Sequence, residues 1–348
     1  MTPATTKATK HAPVAVAADH GGREAARARA RALTSLISRN GAVAVLVIVV
    51  LLGTLLVPSF GKPDNLRNVA LAASFIGIIA AGMTFVIISG GIDLSVGSTY
   101  ALAVIISAMY APRGSFIAVT YAMVAAGLVG LVQGLIIARW RLPAFIVTLA
   151  GLTGVRGLVF YITHEGNDHP RIEEFRVFET FGTGSLATVG TPVWIMLAVF
   201  LVGWWALNRT PFGQSVQAVG GNQSAAELMG LPVKRTQTIV YVVSGLCAGL
   251  SGVLTTALSG GGQEARIGDA YELSAIAAVV IGGTLLSGGV GSMVGTLAGV
   301  LLLFVIQNLI VQGANLNSYV QQVVSGAFLL VVVILQAVLS RRAGTSDI

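Results

Sequence analysis

Ile88-Ser89-Gly90-Gly91-Ile92-Asp93-Leu94-Ser95-Val96-Gly97-Ser98 sets glycines, a carboxylate and hydroxyls between two long apolar runs. Unpaired backbone polar groups are costly in hydrocarbon, so such a break is confined to the membrane edge or to a protein-lined cavity. The runs on either side, Val69–Ser89 and Ser95–Ala111, are each long and apolar enough to read as membrane spans. The fold class follows from this reading: an all-α, polytopic membrane helix bundle.

Composition agrees. Only 10% of the 348 residues are charged and 55% are hydrophobic, with a mean hydropathy of +0.83, whereas about a quarter of a soluble domain is charged. The 43 glycines suit close helix approach in a bilayer. Cys247 is the one cysteine, so no intrachain disulfide forms.

Working outward, spans are expected at Gly41–Val57, Val69–Ser89, Ser95–Ala111, Phe116–Ala138, Pro143–Thr163, Thr191–Leu207, Thr236–Leu258, Leu273–Leu286, Ser292–Gln312 and Tyr319–Leu339. The eighth is short and glycine-rich towards its end, which makes it a candidate for interruption. Ten spans put both termini in the cytoplasm. Basic residues then sort mainly inside: Lys7, Lys10, Arg23, Arg27, Arg29, Arg31, Arg39, Arg139, Arg141, Arg209, Lys234, Arg235, Arg341 and Arg342. Outside fall Lys62, Arg67, Arg113, Arg171, Arg176 and Arg266, while Arg156 lies within a span. The net charge of +7 therefore orients the chain in a lipid bilayer and does not point to nucleic acid. Residues 1–40 read as a disordered basic cytoplasmic tail, 41–340 as the membrane domain, and 341–348 as a second cytoplasmic tail. Residues 164–190 form an external loop and 208–235 the longest internal connection. The late apolar onset, with no clear cleavage site, argues against a removed signal peptide.

The segment Ile281-Gly282-Gly283-Thr284-Leu285-Leu286-Ser287-Gly288-Gly289-Val290-Gly291-Ser292 echoes the opening stretch. Two readings stand: a pathway built from glycine-interrupted helices, or recurrence of small residues at membrane helix ends.

The missing motifs narrow the function. No Gly-x-x-x-x-Gly-Lys-Ser/Thr string cradles a nucleotide, no Gly-x-Ser-x-Gly or His-Glu-x-x-His site occurs, and ionisable groups are scarce in the spans. No catalytic residue, metal site or bound cofactor is expected. His164-Glu165-Gly166-Asn167-Asp168-His169 matches no standard metal spacing. A bundle without an ATP site or proton relay conducts passively or draws energy from another subunit.

Within the internal connection, Ser224-Ala225-Ala226-Glu227 has the pattern of a capping box. Gly230 suits a left-handed stop and Pro232 prevents continuation. The helix between them is under two turns, too short to persist alone in water. Leu228 and Met229 offer it apolar docking surface, either on a partner or under its own bundle.

Asn208–Leu231 as a whole resembles the coupling loop of the permease subunits of ribose/xylose/galactose-type bacterial ABC sugar importers, whose pattern is approximately T-x-x-G-r-x-x-x-A-x-G-G-N-x-x-A-A-x-x-x-G-I. Gln214 stands where arginine is common and Leu231 where isoleucine is common. Leu142–Gly151, Ile88–Ser98 and Ile281–Ser292 are similar to further motifs of that family, which the branched-chain amino-acid permeases share in architecture. The resemblance implies a separate ATP-binding-cassette ATPase subunit carrying ATP-Mg, a second permease copy (identical or not), and an extracytoplasmic sugar-binding protein. It places the chain in the bacterial cytoplasmic membrane. It also implies ATPase coupling through Gly213, Ser215, Ala218, Gly220, Gly221, Asn222, Ser224, Ala225, Ala226, Glu227, Leu228 and Gly230. An ion-coupled or passive small-solute carrier with glycine-broken helices is the alternative.

Pathway or gate candidates are Gly90, Gly91, Asp93, Ser95, Ser98, Gly282, Gly283 and Asn308. Gln133, Tyr100, Tyr241 and Gln307 are further hydrogen-bonding groups in apolar spans. Asp93 reads either as a cap of the third span or as a gate. Ser95 and Ser98 either bond backbone one turn back or face a cavity. The mixed charge of 164–190 and of Ser259–Glu272 suits a solvated connection or a docking surface for a binding protein.

Overall fold

A computed structural model describes residues 41–168, 182–261 and 264–314, with 320, 323, 326 and 327. Both expected tails, most of the tenth span, and His169, Arg171, Glu173, Glu174, Arg176 and Glu179 lie outside the described residues.

Helices follow the apolar runs. They are α1 (Gly41–Leu56), α2 (Pro63–Ile88), α3 (Val96–Tyr110), α4 (Ser115–Trp140), α5 (Ala144–Ile162), α6 (Thr191–Arg209), α7 (Pro211–Gly221), α8 (Gln223–Leu228), α9 (Val233–Ser259), α10 (Tyr271–Ile281) and α11 (Met293–Ala314). Of these, α2, α4, α5, α6, α9 and α11 are long and apolar enough to cross a membrane, while α1 and α10 are shorter apolar helices. A two-residue pairing, β1 (Ser185–Leu186) with β2 (Val189–Gly190), sits in the loop before α6.

The buried centre is α2. It starts at Pro63, where a missing N–H costs nothing, with Asp64 favourably placed in the first turn. It packs on α9, α11, α6 and α10, and its residues from Ile76 to Ile88 are all buried. Helix α9 packs in turn on α4 and α3. Small residues allow this: a side chain at Gly130 or Gly134 of α4 would run into the α9 backbone at Tyr241 and Thr238. The outer faces of α4 and α5 remain apolar and exposed, at Val124, Leu128, Val132, Phe145, Ile146 and Leu149 among others. That is a surface suited to lipid or another membrane helix.

Besides the earlier start of α2 at Pro63, two spans differ from expectation. The third is a helix of 15 residues, about 22 Å at 1.5 Å per residue, and so shorter than the hydrocarbon core. The eighth stops at Ile281, not Leu286, because Gly283 turns left-handed with φ 90° and the chain leaves the helix there. The expected interruption is thus the end of α10.

Candidate coupling site and glycine knot

Three helices end in the same way. At the end of α2, Gly91 N donates to Val86 O and Gly90 N to Ile87 O, with Gly90 at φ 84°. At the end of α10, Thr284 N donates to Val279 O and Gly283 N to Val280 O. At the end of α8, Leu231 N donates to Ala226 O and Gly230 N to Glu227 O, with Gly230 at φ 77°. Each is a paired closure in which a left-handed glycine lets the chain turn back onto the last carbonyls. The echo between Ile88–Ser98 and Ile281–Ser292 is therefore structural, with Gly90 and Gly283 in equivalent places.

The two echoing loops also touch. Gly289 N donates to the Ile88 carbonyl at 2.8 Å. The end of α7 closes the group: a Cβ on Gly220 would overlap that same carbonyl, and one on Gly288 would lie 2.8 Å from Gly220 O and 2.9 Å from Gly90 Cα. Gly90, Gly220, Gly221, Gly288 and Gly289 thus form a knot in which backbone meets backbone. Gly91 makes room for the Tyr241 hydroxyl, and Gly282 packs against the Gly295 backbone of α11.

Asp93 lies beside the knot, 1% exposed. Its Oδ1 accepts from the Ser95 amide at 3.0 Å and lies 2.7 Å from Ser95 Oγ, while Oδ2 accepts from Ser244 Oγ of α9 at 2.7 Å. Ser95 Oγ is also 3.0 Å from Gln133 Oε1 of α4. The carboxylate reaches no amide inside α3, whose N-cap is Ser95 with no side-chain cap bond. It ties the loop to α9, while Ser95 links the same loop to α4. Ser98 takes the local option and donates to Ser95 O at 2.9 Å.

The internal connection holds two helices, not one. Thr210 caps α7, its hydroxyl accepting from Gly213 N, and Pro211 opens it. Gly213 is pressed against the Leu207 carbonyl as the chain doubles back from α6. Ser215 Oγ donates to Pro211 O. Ala218 packs beside a small cluster of Val219, Ala226 and Val233.

The capping box does not form. Asn222, in an extended conformation, is the N-cap of α8, and its Oδ1 accepts from Ala225 N at 2.9 Å. Ser224 consequently falls inside the first turn, where a proline would be tolerated. Glu227 points away and takes both of its bonds from Arg141 Nη2, at 3.1 and 2.9 Å. Asparagine is as good a cap as serine, so the shift by two residues carries no penalty. Leu228 and Met229 are left 90% and 78% exposed.

The family described as branched-chain amino acid transport system / permease component matches residues 65–333. The chain belongs to that family. It is similar to the ribose import permease protein of Escherichia coli strain K12, 39% identical over 86% of this chain and 93% of the relative. The L-arabinose ABC transporter permease protein of Azospirillum brasilense is 39% identical over 89% and 91%, and the ribose import permease protein of Bacillus subtilis strain 168 is 38% identical over 83% and 90%.

In this multi-pass membrane permease the remaining candidates sit elsewhere. Asn308 is not in the knot. Its amide exchanges two hydrogen bonds with Asn65 at 2.9 and 3.0 Å, at the far end of α2, about 35 Å from Ile88 along a straight helix. Tyr100 is buried, stacks near Tyr271 with centroids 4.9 Å apart, and donates to Thr255 Oγ1. Gln133 and Tyr241 are buried, and Gln133 Nε2 and the Tyr241 hydroxyl have no partner among the described residues; Gln307 is half-buried. His164 pairs with Asp168, four residues on.

Sequence reasoning placed Arg156 within a span but gave it no role. Its guanidinium donates to the carbonyls of Ala265 and Ile267 at 2.8 and 2.9 Å and pairs with Asp269 at 2.8 Å, which fastens the α9–α10 connection onto α5. An arginine inside an apolar span was itself the signal, since such groups are costly unless partnered. Removal of it by Arg156→Leu is expected to strand two carbonyls and to leave the exposed Asp269 carboxylate to solvent alone. Proteolysis of the purified protein should then cut within Ser259–Glu272 at least tenfold faster; an unchanged cleavage pattern would show that this connection holds itself.

Proposed function

We propose that this chain is the membrane-spanning permease subunit of an ATP-driven bacterial importer of a monosaccharide of the pentose or hexose class. The observation that carries the reading is the end of α8. A helix capped at both ends displays Leu228 and Met229 to solvent, and its neighbour α7 ends in the knot that joins α2 to the α10–α11 turn. A partner that grips those two side chains holds a handle on the membrane helices. The relatives named for ribose and L-arabinose import support the substrate class.

In this reading the partner is an ATP-binding-cassette ATPase subunit carrying ATP-Mg, and the chain itself binds no cofactor and forms no covalent intermediate. A second permease copy completes the path, and an extracytoplasmic binding protein delivers the sugar. Ten spans across the cytoplasmic membrane, with both termini on the cytoplasmic side, fit the Arg141–Glu227 bond, because that bond brings the α4–α5 turn to the end of the bundle occupied by the 208–235 connection.

Leu228→Asp with Met229→Asp tests the docking. Both side chains are largely exposed, so the fold loses almost nothing, whereas two charges in a hydrophobic contact are heavily penalised. Co-purification of the ATPase subunit is expected to fall at least tenfold, with an unchanged melting temperature for the permease alone. Undiminished co-purification would remove α8 from the interface.

A further inference from the structure

The turn between α4 and α5 reaches the connection below it through one ion pair. Arg141 Nη2 lies within hydrogen-bond distance of both carboxylate oxygens of Glu227. Arg141 holds the left-handed conformation, φ 54°, although it carries a side chain; such strain persists only where the surroundings impose it. The pair is exposed, at 65% and 34% for the two side chains, and exposed pairs contribute little to stability. Its interest is mechanical.

Helix α5 starts three residues after Arg141. Pro143 fixes its own backbone and restricts Leu142 before it, so the intervening chain is stiff. The helix is loosely held, with only Val147, Thr148 and Val159 buried. Among the described residues, its side chains reach outward through one weak contact, since the single Thr148 hydroxyl hydrogen has a nearer acceptor in Ala144 O at 2.9 Å, and one strong fastening at Arg156. Thr148 Oγ1 lies 3.2 Å from Ile92 O in the loop beside the knot, and Arg156 grips the 265–269 segment towards the other end. Gly154 and Gly157 face open space. The other route out of α8 runs through Pro232 into α9, which is packed against α4, α2 and α3 and so resists displacement. Between α4 and α5 lies a groove of about 630 Å³, walled by Leu128, Val132, Ile146 and Gly151 and holding Gln133 in its lining.

We propose that the Arg141–Glu227 pair is a strut that passes displacement of α8 to the inner end of α5, which tilts about its Arg156 fastening and changes the width of the α4–α5 groove. This rests on the reading of α8 as the ATPase contact. Arg141 and Glu227 are positioning residues here, acting through α5.

The test uses the complete permease–ATPase complex in nanodiscs, with spin labels at Phe145→Cys on α5 and Leu201→Cys on α6 in a Cys247→Ala background. In the otherwise unmodified complex, the label–label distance is expected to shift between the nucleotide-free state and the ATP-vanadate state. Arg141→Gln and Glu227→Gln should each remove at least half of that shift. The charge swap Arg141→Glu with Glu227→Arg should restore most of it, which a merely structural role would not predict. A full shift in both single variants, or no shift in the unmodified complex, overturns the strut. Failure of the ATPase to co-purify with the unmodified chain would instead overturn the reading of α8 itself.

Discussion

Gly220→Val is expected to abolish reconstituted uptake and to destabilise the protein by about 3 kcal/mol, the upper part of the usual range for forcing atoms into a packed interior. The added Cβ would be aimed at the Ile88 carbonyl, and the Gly289 amide that bonds this carbonyl lies 2.6 Å away. Both obstacles are backbone, so no side-chain rotation relieves the overlap. Either the Gly289–Ile88 bond breaks or α7 withdraws from the ends of α2 and α10. The neighbouring glycine is the control: a Cβ on Gly221 meets nothing within 4 Å, and alanine is the better helix former. Gly221→Ala should therefore leave thermal unfolding in detergent close to the parent. Equal melting temperatures for the parent, Gly220→Val and Gly221→Ala would mean that the knot is looser than its geometry indicates.

How much of this arrangement was legible in the chain depends on the range of the interaction. Apolar runs of membrane length located the helices, because every backbone polar group must be satisfied within its own segment in lipid. The left-handed stop at Gly230 was legible for a similarly local reason, whereas those at Gly90 and Gly283 came from the structure. The likeness of Ile88–Ser98 to Ile281–Ser292 left two readings open, and the structure adds that both are helix ends closed in the same way and that the two loops bond to each other.

Contacts across the fold were not legible. Glu227 has a local partner in sequence, the Ser224 amide, and a distant one, Arg141. The distant one wins because Asn222 already supplies the cap. Helix α7 escaped notice because its Gly213, Gly220 and Gly221 lower helix propensity. Asn308 was named as a hydrogen-bonding group in an apolar span, and the structure supplies a partner for its amide. That partner, Asn65, lies 243 residues away in sequence, beyond the reach of any pattern.

Asp93→Ala is the second substitution with a large expected effect, and its size follows from which bonds can be replaced. The carboxylate serves the Ser95 amide and the hydroxyls of Ser95 and Ser244, all nearly inaccessible to water. Without it, Ser95 Oγ can turn wholly to Gln133 Oε1 at 3.0 Å, and Ser244 Oγ can fall back on a carbonyl one turn earlier in α9. The Ser95 amide has no such alternative, and a cavity remains beside it. A stranded buried donor plus that cavity gives a loss of about 3 kcal/mol. Asp93→Asn should lose much less, since its oxygen can serve Ser95 while its amide donates to Ser244 Oγ. Ser244→Ala alone should cost about 1 kcal/mol, the net value of one hydrogen bond. Because Asp93 and Ser244 share that bond, the double variant Asp93→Ala with Ser244→Ala should lose less than the two single losses together. Thermal unfolding of the four variants in one detergent measures the series. If Asp93→Asn fell as far as Asp93→Ala, the negative charge and not the hydrogen-bond geometry would be what holds α9 to this loop.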